Sequence, residues 1–242
     1  MDKITVVTVT YNCQKVVEKT ILSVLSQDYK NIEYIVVDGC SNDKTLNIVE
    51  QYKDRIDLIV SEPDKGVYDA MNKSVKYATG DWILFMNAGD CFIARNTISK
   101  MFFETHDDVG VIFGDTISDY RGFETVIKYN PKSWRHKYMP SCHQSIFVKR
   151  ELLLQNPFNL KYRIAADLYS FKCFSEQNVK YKYIPEIVAR YDVSEGISQN
   201  PKLYYKELFS IMYNKPMSYI IYFLFLIRYM LGKLIRKLIN YK

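Results

Sequence analysis

Glycine-rich phosphate loops are missing from this chain. After the first predicted strand the sequence runs Thr10-Tyr11-Asn12-Cys13-Gln14 without a glycine, and no Gly-x-Gly-x-x-Gly occurs anywhere. This excludes a dinucleotide-binding dehydrogenase and a nucleotidyltransferase, both of which bring phosphates against glycine backbone. Cysteine is sparse. The five residues at 13, 40, 91, 142 and 173 are odd in number, widely spaced and free of any Cys-x-x-Cys pair. Reduced thiols in a cytosolic protein are expected, with no zinc site. Apolar runs are short, and the longest candidate, Met217 to Ile227, covers eleven residues. A transmembrane helix needs about 20. The chain opens directly into a predicted strand, Ile4–Val9, so no signal peptide is expected. Internal repeats and low-complexity linkers are absent as well.

Net charge is also missing from most of the chain. Eight of the 33 Lys and Arg residues lie in 201–242, where Glu207 is the only acid. The first 200 residues carry 25 basic and 26 acidic groups, so the formal +6 belongs to the tail. A nucleic-acid partner calls for basic groups spread over a folded face, and the body offers none. What remains is an ordinary globular composition, 48% hydrophobic and 25% charged. A length of 242 residues suits one α/β domain with an appendage. The 21 tyrosines crowd the C-terminal half, as suits a protein that touches sugars or an interface.

Strands and helices alternate through the first half, which predicts a parallel sheet covered by helices on both faces. Strand one is followed by a helix over about 14–27, with Val17, Ile21, Val24 and Leu25 on one face. Strand two, Tyr34–Val37, leads to a helix over about 43–53, and strand three, Leu58–Val60, to a helix ending near Ala78. Strand four covers 82–86. Beyond it the pattern predicts strands at Val109–Phe113, Thr125–Tyr129, Gln144–Val148, 179–184 and 187–191, and a helix over about 166–176. Three of the first four strands end in polar exits: Thr10-Tyr11-Asn12, Asp38 through Asp43, and Asn87-Ala88-Gly89-Asp90. In sheets of this kind ligands sit outside the carboxyl ends of the strands, where the chain order reverses. Small residues between Asn87 and Asp90 let an anionic ligand approach, and a carboxylate is the hard oxygen donor that Mg²⁺ or Mn²⁺ prefers.

These exits, in this order, resemble those of the inverting glycosyltransferases of family 2, which have the GT-A fold. The stretches that carry the likeness are Val6–Asn12, Val36–Asp43, Ser61–Asn72 and Asn87–Asp90, joined by Cys142-His143-Gln144 and Ile164-Ala165-Ala166-Asp167. The last two look like a bacterial branch that builds surface polysaccharide. The likeness covers roughly residues 3–198 and leaves the tail outside. It implies an α/β fold, a Rossmann-like, mostly parallel sheet flanked by helices. A nucleotide-sugar donor would be bound by Thr10, Tyr11, Asn12 and Asp38 at the base. Asp64, Lys65 and Asp69 would lie near nucleotide and phosphates, Asn87 and Ala88 at the ribose. Asp90 would ligate Mn²⁺ or Mg²⁺. The family's exit usually holds two or three aspartates; Asn87 and Gly89 replace two of them here. The cation is therefore expected to arrive with the nucleotide, and metal independence is the alternative. UDP is the preferred carrier.

An inverting transfer needs one general base for the acceptor hydroxyl. The resemblance assigns it to Asp167, whose neighbouring acid in the family is Ala166 here. The competing role for Asp167 is first-turn stabilisation of its own helix; Asp115 and Asp69 are the fallback bases. His143 would reach the diphosphate or metal, or serve the structure alone. Gly196-Ile197-Ser198 matches a late loop that folds over donor or acceptor, and Arg163 and Arg190 are candidate phosphate contacts. The missing acids also motivate a rival reading, a catalytically degenerate scaffold that binds nucleotide-sugar.

The expected division is 1–200 for the catalytic domain and 201–242 for a basic helical tail. Pro216 opens an apolar helix, and Leu231, Leu234, Ile235, Leu238 and Ile239 then alternate with Lys233, Arg236 and Lys237. Such a pattern lies in a membrane interface with its cations at anionic headgroups. A dimerisation helix and a helix packed on the body are the alternatives. The protein is thus expected in the cytoplasm, peripheral on the inner face of the membrane through residues 216–242. Its acceptor there would be a lipid-linked saccharide.

Overall fold

A computed structural model describes residues 1–103, 108–131, 139–193, 200–213 and 215–239, without the side chains of Lys215 and of 230–239. The first half alternates as the pattern predicts. Strands β1 (Ile4–Thr10), β2 (Ile32–Asp38), β3 (Leu58–Ser61) and β4 (Trp82–Phe85) are joined by helices α1 (Val17–Leu25), α2 (Thr45–Glu50) and α3 (Val67–Tyr77). Then come β5 (Cys91–Phe92), α4 (Thr97–Met101), β6 (Val111–Tyr120), β7 (Phe123–Ile127), β8 (Ile146–Lys149), α5 (Arg150–Gln155), α6 (Ala166–Glu176), β9 (Tyr181–Asp192), α7 (Pro201–Met212) and α8 (Lys215–Ile239). The mixed sheet runs β3-β2-β1-β4-β8-β6-β9-β5, with β7 beside β6.

Strands β1 to β4 pair in parallel, and β8 lies antiparallel to both β4 and β6. The chain builds outward from β1 to β3 and then crosses back to lay β4 on the other side of β1. The order therefore reverses between β1 and β4, and the exits of these two strands lie side by side. Backbone bonds continue beyond the strand ends, from Met86 N to Val7 O at 2.8 Å and from Ala88 N to Val9 O at 3.3 Å.

Period-two alternation fills both faces of the sheet. Val7, Val9, Ile35, Val37, Ile83 and Phe85 pack against α3, α5, α6 and α7. Ile4, Val6, Tyr34, Val36, Trp82, Leu84 and Met86 belong to the opposite core with α1 and α4. The predicted pair of late strands is one strand, β9, which follows β6 in parallel past irregularities around Asp115. Gln144–Val148 begins instead as a short 3-10 turn, His143–Ser145, before β8. That turn matters, because it aims His143 and Gln144 toward the exit of β4.

Asn200 caps α7, its side chain accepting from Leu203 N at 3.1 Å. Helix α7 itself packs on the body, with Leu208 and Ile211 in the larger core. Helix α8 leans on α7 through Phe225, whose ring meets that of Tyr205, tilted by 32°, at 4.2 Å between centroids. Among the described residues, no helix is long and apolar enough to cross a membrane.

Candidate active site

Two groups of predicted residues meet at the carboxyl ends of the first strands. The first surrounds the exit of β2. Asp38 is wholly buried, and its carboxylate accepts from Thr10 Oγ1 at 2.9 Å, Ser61 Oγ at 2.8 Å, Ser41 N at 2.9 Å and Ser41 Oγ. Burial works against the ionised form, but these donors prevail and hold the carboxyl below its ordinary value. Gly39 lets Asp64 and Tyr11 close against the backbone: a Cβ there would collide with Asp64 Oδ2 and lie 3.3 Å from the Tyr11 ring. Tyr11 remains 61% exposed, an aromatic face open to a stacking partner. Asn12 adopts a left-handed backbone with φ of 50° and accepts from Asn42 N at 2.8 Å, which ties the β1 and β2 exits together.

Asp64, Lys65 and Asp69 shape the turn into α3. Asp64 Oδ1 accepts from Gly66 N at 2.7 Å, and Asp69 Oδ2 from Lys65 N at 3.0 Å. Gly66 begins the helix at φ of 117°, a conformation that favours glycine. The Lys65 residue is exposed, while Asp69 also faces Lys73 at 3.9 Å.

The second group joins the exit of β4 to α6. Asn87 Nδ2 lies 3.0 Å from His143 Nε2, and His143 Nδ1 lies 3.4 Å from Asp167 Oδ2. An amide nitrogen can only donate, so Nε2 accepts and Nδ1 carries the ring proton toward Asp167. Asp167 is 7% exposed in the first turn of α6, where its Oδ1 accepts from Leu168 N at 2.8 Å. Tyr68 lies beside it. Burial, reinforced by the Asp167 charge, pushes the phenol well above its ordinary value.

Asp90 closes the β4 turn. Thr20 of α1 pins that turn by donating to Asp90 O at 2.7 Å and accepting from Gly89 N at 3.0 Å. The Asp90 side chain is 5% exposed, with Oδ2 accepting from Gln144 Nε2 at 2.8 Å and Oδ1 from Asp192 N at 3.1 Å. Burial pushes its carboxyl up to about 6, against the donation from Gln144. Asn87 Oδ1 and Gln144 Oε1 are buried oxygens without a partner among the described residues. Oxygens of this kind, with a carboxylate nearby, are the donors a hard divalent cation takes. Among the described residues no three His, Cys, Asp or Glu side chains gather to hold a metal. Further oxygens would therefore have to come from phosphate and water.

Other predicted residues stand apart. Asp115 is buried and accepts at Oδ1 from Tyr129 N and Tyr183 Oη, both at 3.0 Å. Arg190 pairs with Glu124 at 2.8 Å, and Arg163 is exposed. Gly196-Ile197-Ser198 lies outside the described residues. The sequence offered Gln144 only as part of a motif, Ser41 only as a helix N-cap (the N-cap of α2 is Lys44), and gave no role to Ser61 or Tyr68. Their positions beside His143, Asp38 and the α3 start were the available signal.

The profile described as Glycosyl transferase family 2 matches residues 5–160. A PGL/p-HBAD biosynthesis glycosyltransferase of Mycobacterium bovis is 32% identical over 196 residues, covering 78% of this chain and 76% of that protein. An Escherichia coli enzyme named UDP-Glc:alpha-D-GlcNAc-diphosphoundecaprenol beta-1,3-glucosyltransferase WfaP is 35% identical over 104 residues, 43% of this chain and 41% of its own length. In fold, the chain is similar to the mannosyltransferase PcManGT of Pyrobaculum calidifontis, solved with GDP-Man and Mn²⁺. That match has a TM-score of 0.68 at 20% identity and covers 87% of this chain but 63% of that one. With more than half its residues inside the family's profile and the GT-A sheet in place around these strand exits, the chain belongs to glycosyl transferase family 2.

Proposed function

We propose that this glycosyltransferase is inverting and moves one sugar from a nucleotide-diphosphate donor, a UDP-sugar, to a lipid-linked saccharide. The product would serve bacterial surface polysaccharide assembly. The observation that carries the proposal is the line of contacts Asn87–His143–Asp167, which joins the β4 exit to a buried carboxylate at the start of α6. In this reading Tyr11 stacks on the base and Thr10, Asn12 and Asp38 shape its seat. The Asp38 carboxylate is already taken by Thr10, Ser41 and Ser61, so a ring N–H reaches it only if one of these yields. Asp64, Lys65 and Asp69 fix the α3 turn beside nucleotide and phosphates, and Asn87 and Ala88 border the ribose.

Asp90, with the free oxygens of Asn87 and Gln144, would hold Mn²⁺ or Mg²⁺. When bound, the cation supplies Lewis-acid stabilisation to the charge growing on the departing diphosphate. Asp167 takes the acceptor hydroxyl proton as that oxygen attacks the anomeric carbon, and His143 orients the carboxylate through Nδ1–H. The named activity of the WfaP relative, on a diphosphoundecaprenol-linked sugar, supports the choice of donor and acceptor.

Helix α8 supports a membrane-surface location. Met217, Tyr219, Ile220, Phe223, Leu224 and Ile227 are exposed on it, an apolar stripe in a segment rich in Lys and Arg. Such a helix lies in the headgroup region of the cytoplasmic leaflet, where the lipid-linked acceptor is found.

Thermal-shift titration with UDP-glucose, UDP-GlcNAc and GDP-mannose, each with and without Mn²⁺, tests the donor site. A UDP-sugar with Mn²⁺ should raise Tm most, and Asp90→Asn should abolish the Mn²⁺-dependent part. An unchanged Tm with all three donors would refute the proposal.

A further inference from the structure

Glu207 is the single acid of residues 201–242, and it does not face solvent. It is 7% exposed and points from α7 into the body. Its Oε1 accepts from Arg163 N at 2.8 Å, and its Oε2 from Ile164 N at 2.9 Å and Ala165 N at 3.0 Å. These amides immediately precede α6, whose own N-cap is Ala165, a residue with no side-chain acceptor. An acid borrowed from another helix therefore holds the segment that leads into α6. Three charge-assisted bonds converge on one carboxylate at the positive end of the helix dipole.

The grip is two-sided. Tyr68 Oη donates to Ile164 O at 2.7 Å, so the peptide groups around Ile164 are held from α7 on one side and α3 on the other. Asp167 follows two residues beyond Ala165, already on the helix. Among the described residues, its carboxylate takes its direction from His143, Tyr68 and the Leu168 amide. A small rotation of the α6 start would carry Oδ2 away from His143.

We propose that Glu207 is a positioning residue for Asp167. By clamping the amides of Arg163, Ile164 and Ala165 it fixes the start of α6, and with it the angle at which the Asp167 carboxylate meets the acceptor hydroxyl. The inference rests on the reading of Asp167 as the base. It also explains why an acid persists in a segment otherwise basic: the carboxylate serves the catalytic body and not the tail's surface.

The test compares Glu207→Gln with Ile211→Ala, which loosens the same helix without touching the clamped amides. UDP-glucose is the donor and undecaprenyl-diphosphate-linked GlcNAc the acceptor, and Tm and amide exchange over 163–168 are measured in parallel. In E207Q, kcat should fall tenfold or more at unchanged donor KM, and exchange at 163–165 should speed up. I211A, at an equal or larger loss of Tm, should keep its kcat and its protection there. The exchange measurement needs no substrate and decides the clamp by itself. If E207Q does not fold, Glu207→Asp is held to the same standards. A kcat within twofold of wild type in the Glu207 variant overturns the proposal, as does an equal loss in I211A. Asp167→Asn separates the two possible failures. Full transfer in D167N overturns the base assignment and the positioning role together, whereas loss in D167N with full activity in E207Q overturns the positioning role alone.

Discussion

His143 Nδ1 faces Asp167 Oδ2 across 3.4 Å, while the opposite nitrogen of the same ring takes the Asn87 amide. The two nitrogens are not equivalent in this arrangement. Only Nδ1 serves Asp167, so a substitute that preserves a donor there should preserve function. His143→Asn, whose amide nitrogen sits near the Nδ1 position, should retain more transfer activity than His143→Gln, which imitates Nε2. Both should lie about tenfold or more below wild type, within the usual range for a group that orients a base. Steady-state kinetics on the two variants checks the order; the reverse order would remove His143 from the orienting role.

Gln144 faces a different partner. Its Nε2 satisfies the buried Asp90 carboxylate, so Gln144→Leu leaves Oδ2 without that donor in an apolar setting. Urea denaturation without nucleotide should show a loss of about 1–3 kcal/mol. A loss under about 0.5 kcal/mol, the usual scale of a neutral surface change, would mean the bond carries no net stability.

The pH dependence of stability should trace to Glu33. Burial opposes its ionisation, but donation from Thr5, Thr79 and Lys3 outweighs it and holds the carboxyl down to about 2. A folded value below the unfolded one means stability present above about pH 4.5 and lost as pH falls toward 2. Against Glu33→Gln, wild type should be more stable by about 3 kcal/mol at pH 6, and the gap should narrow steadily below pH 4. Urea denaturation at several pH values measures it, and a gap independent of pH would assign the stability elsewhere.

Much of the fold was legible in the sequence, for a physical reason. Val7 and Val9 against Ile4 and Val6 sort onto opposite faces by period-two alternation, and the helices between strands carry their apolar residues at helical spacing. The exits of β1, β2 and β4 announced themselves through small and acidic residues. The second half was harder to read. The strand β9 spans Pro185, where the pattern suggested a break, because pairing with β6 lapses after Tyr183 and resumes at Ile187. Partners were the least legible part. Nothing local to Glu207 indicates that it reaches residues 42 to 44 positions earlier, and nothing beside Asp90 indicates that Gln144 covers it. Such contacts are decided by tertiary packing, which periodicity does not encode.

The α8 stripe gives a prediction independent of catalysis. Ile220 and Leu224 lie one turn apart and are 56% and 59% exposed. Replacing both with Glu should abolish sedimentation with vesicles containing phosphatidylglycerol and leave UDP binding unchanged. Undiminished sedimentation would turn attention to other surfaces, and a wild-type dimer lost in the double variant would make α8 a self-association helix.

The central claim is that Asp167 removes the acceptor proton beside a donor gripped at the β4 exit. Its most direct test pairs UDP binding, measured by calorimetry with Mn²⁺, with transfer from UDP-glucose in Asp167→Asn. The account predicts unchanged UDP affinity and transfer reduced by about 10² to 10⁴; transfer at the wild-type rate would contradict it.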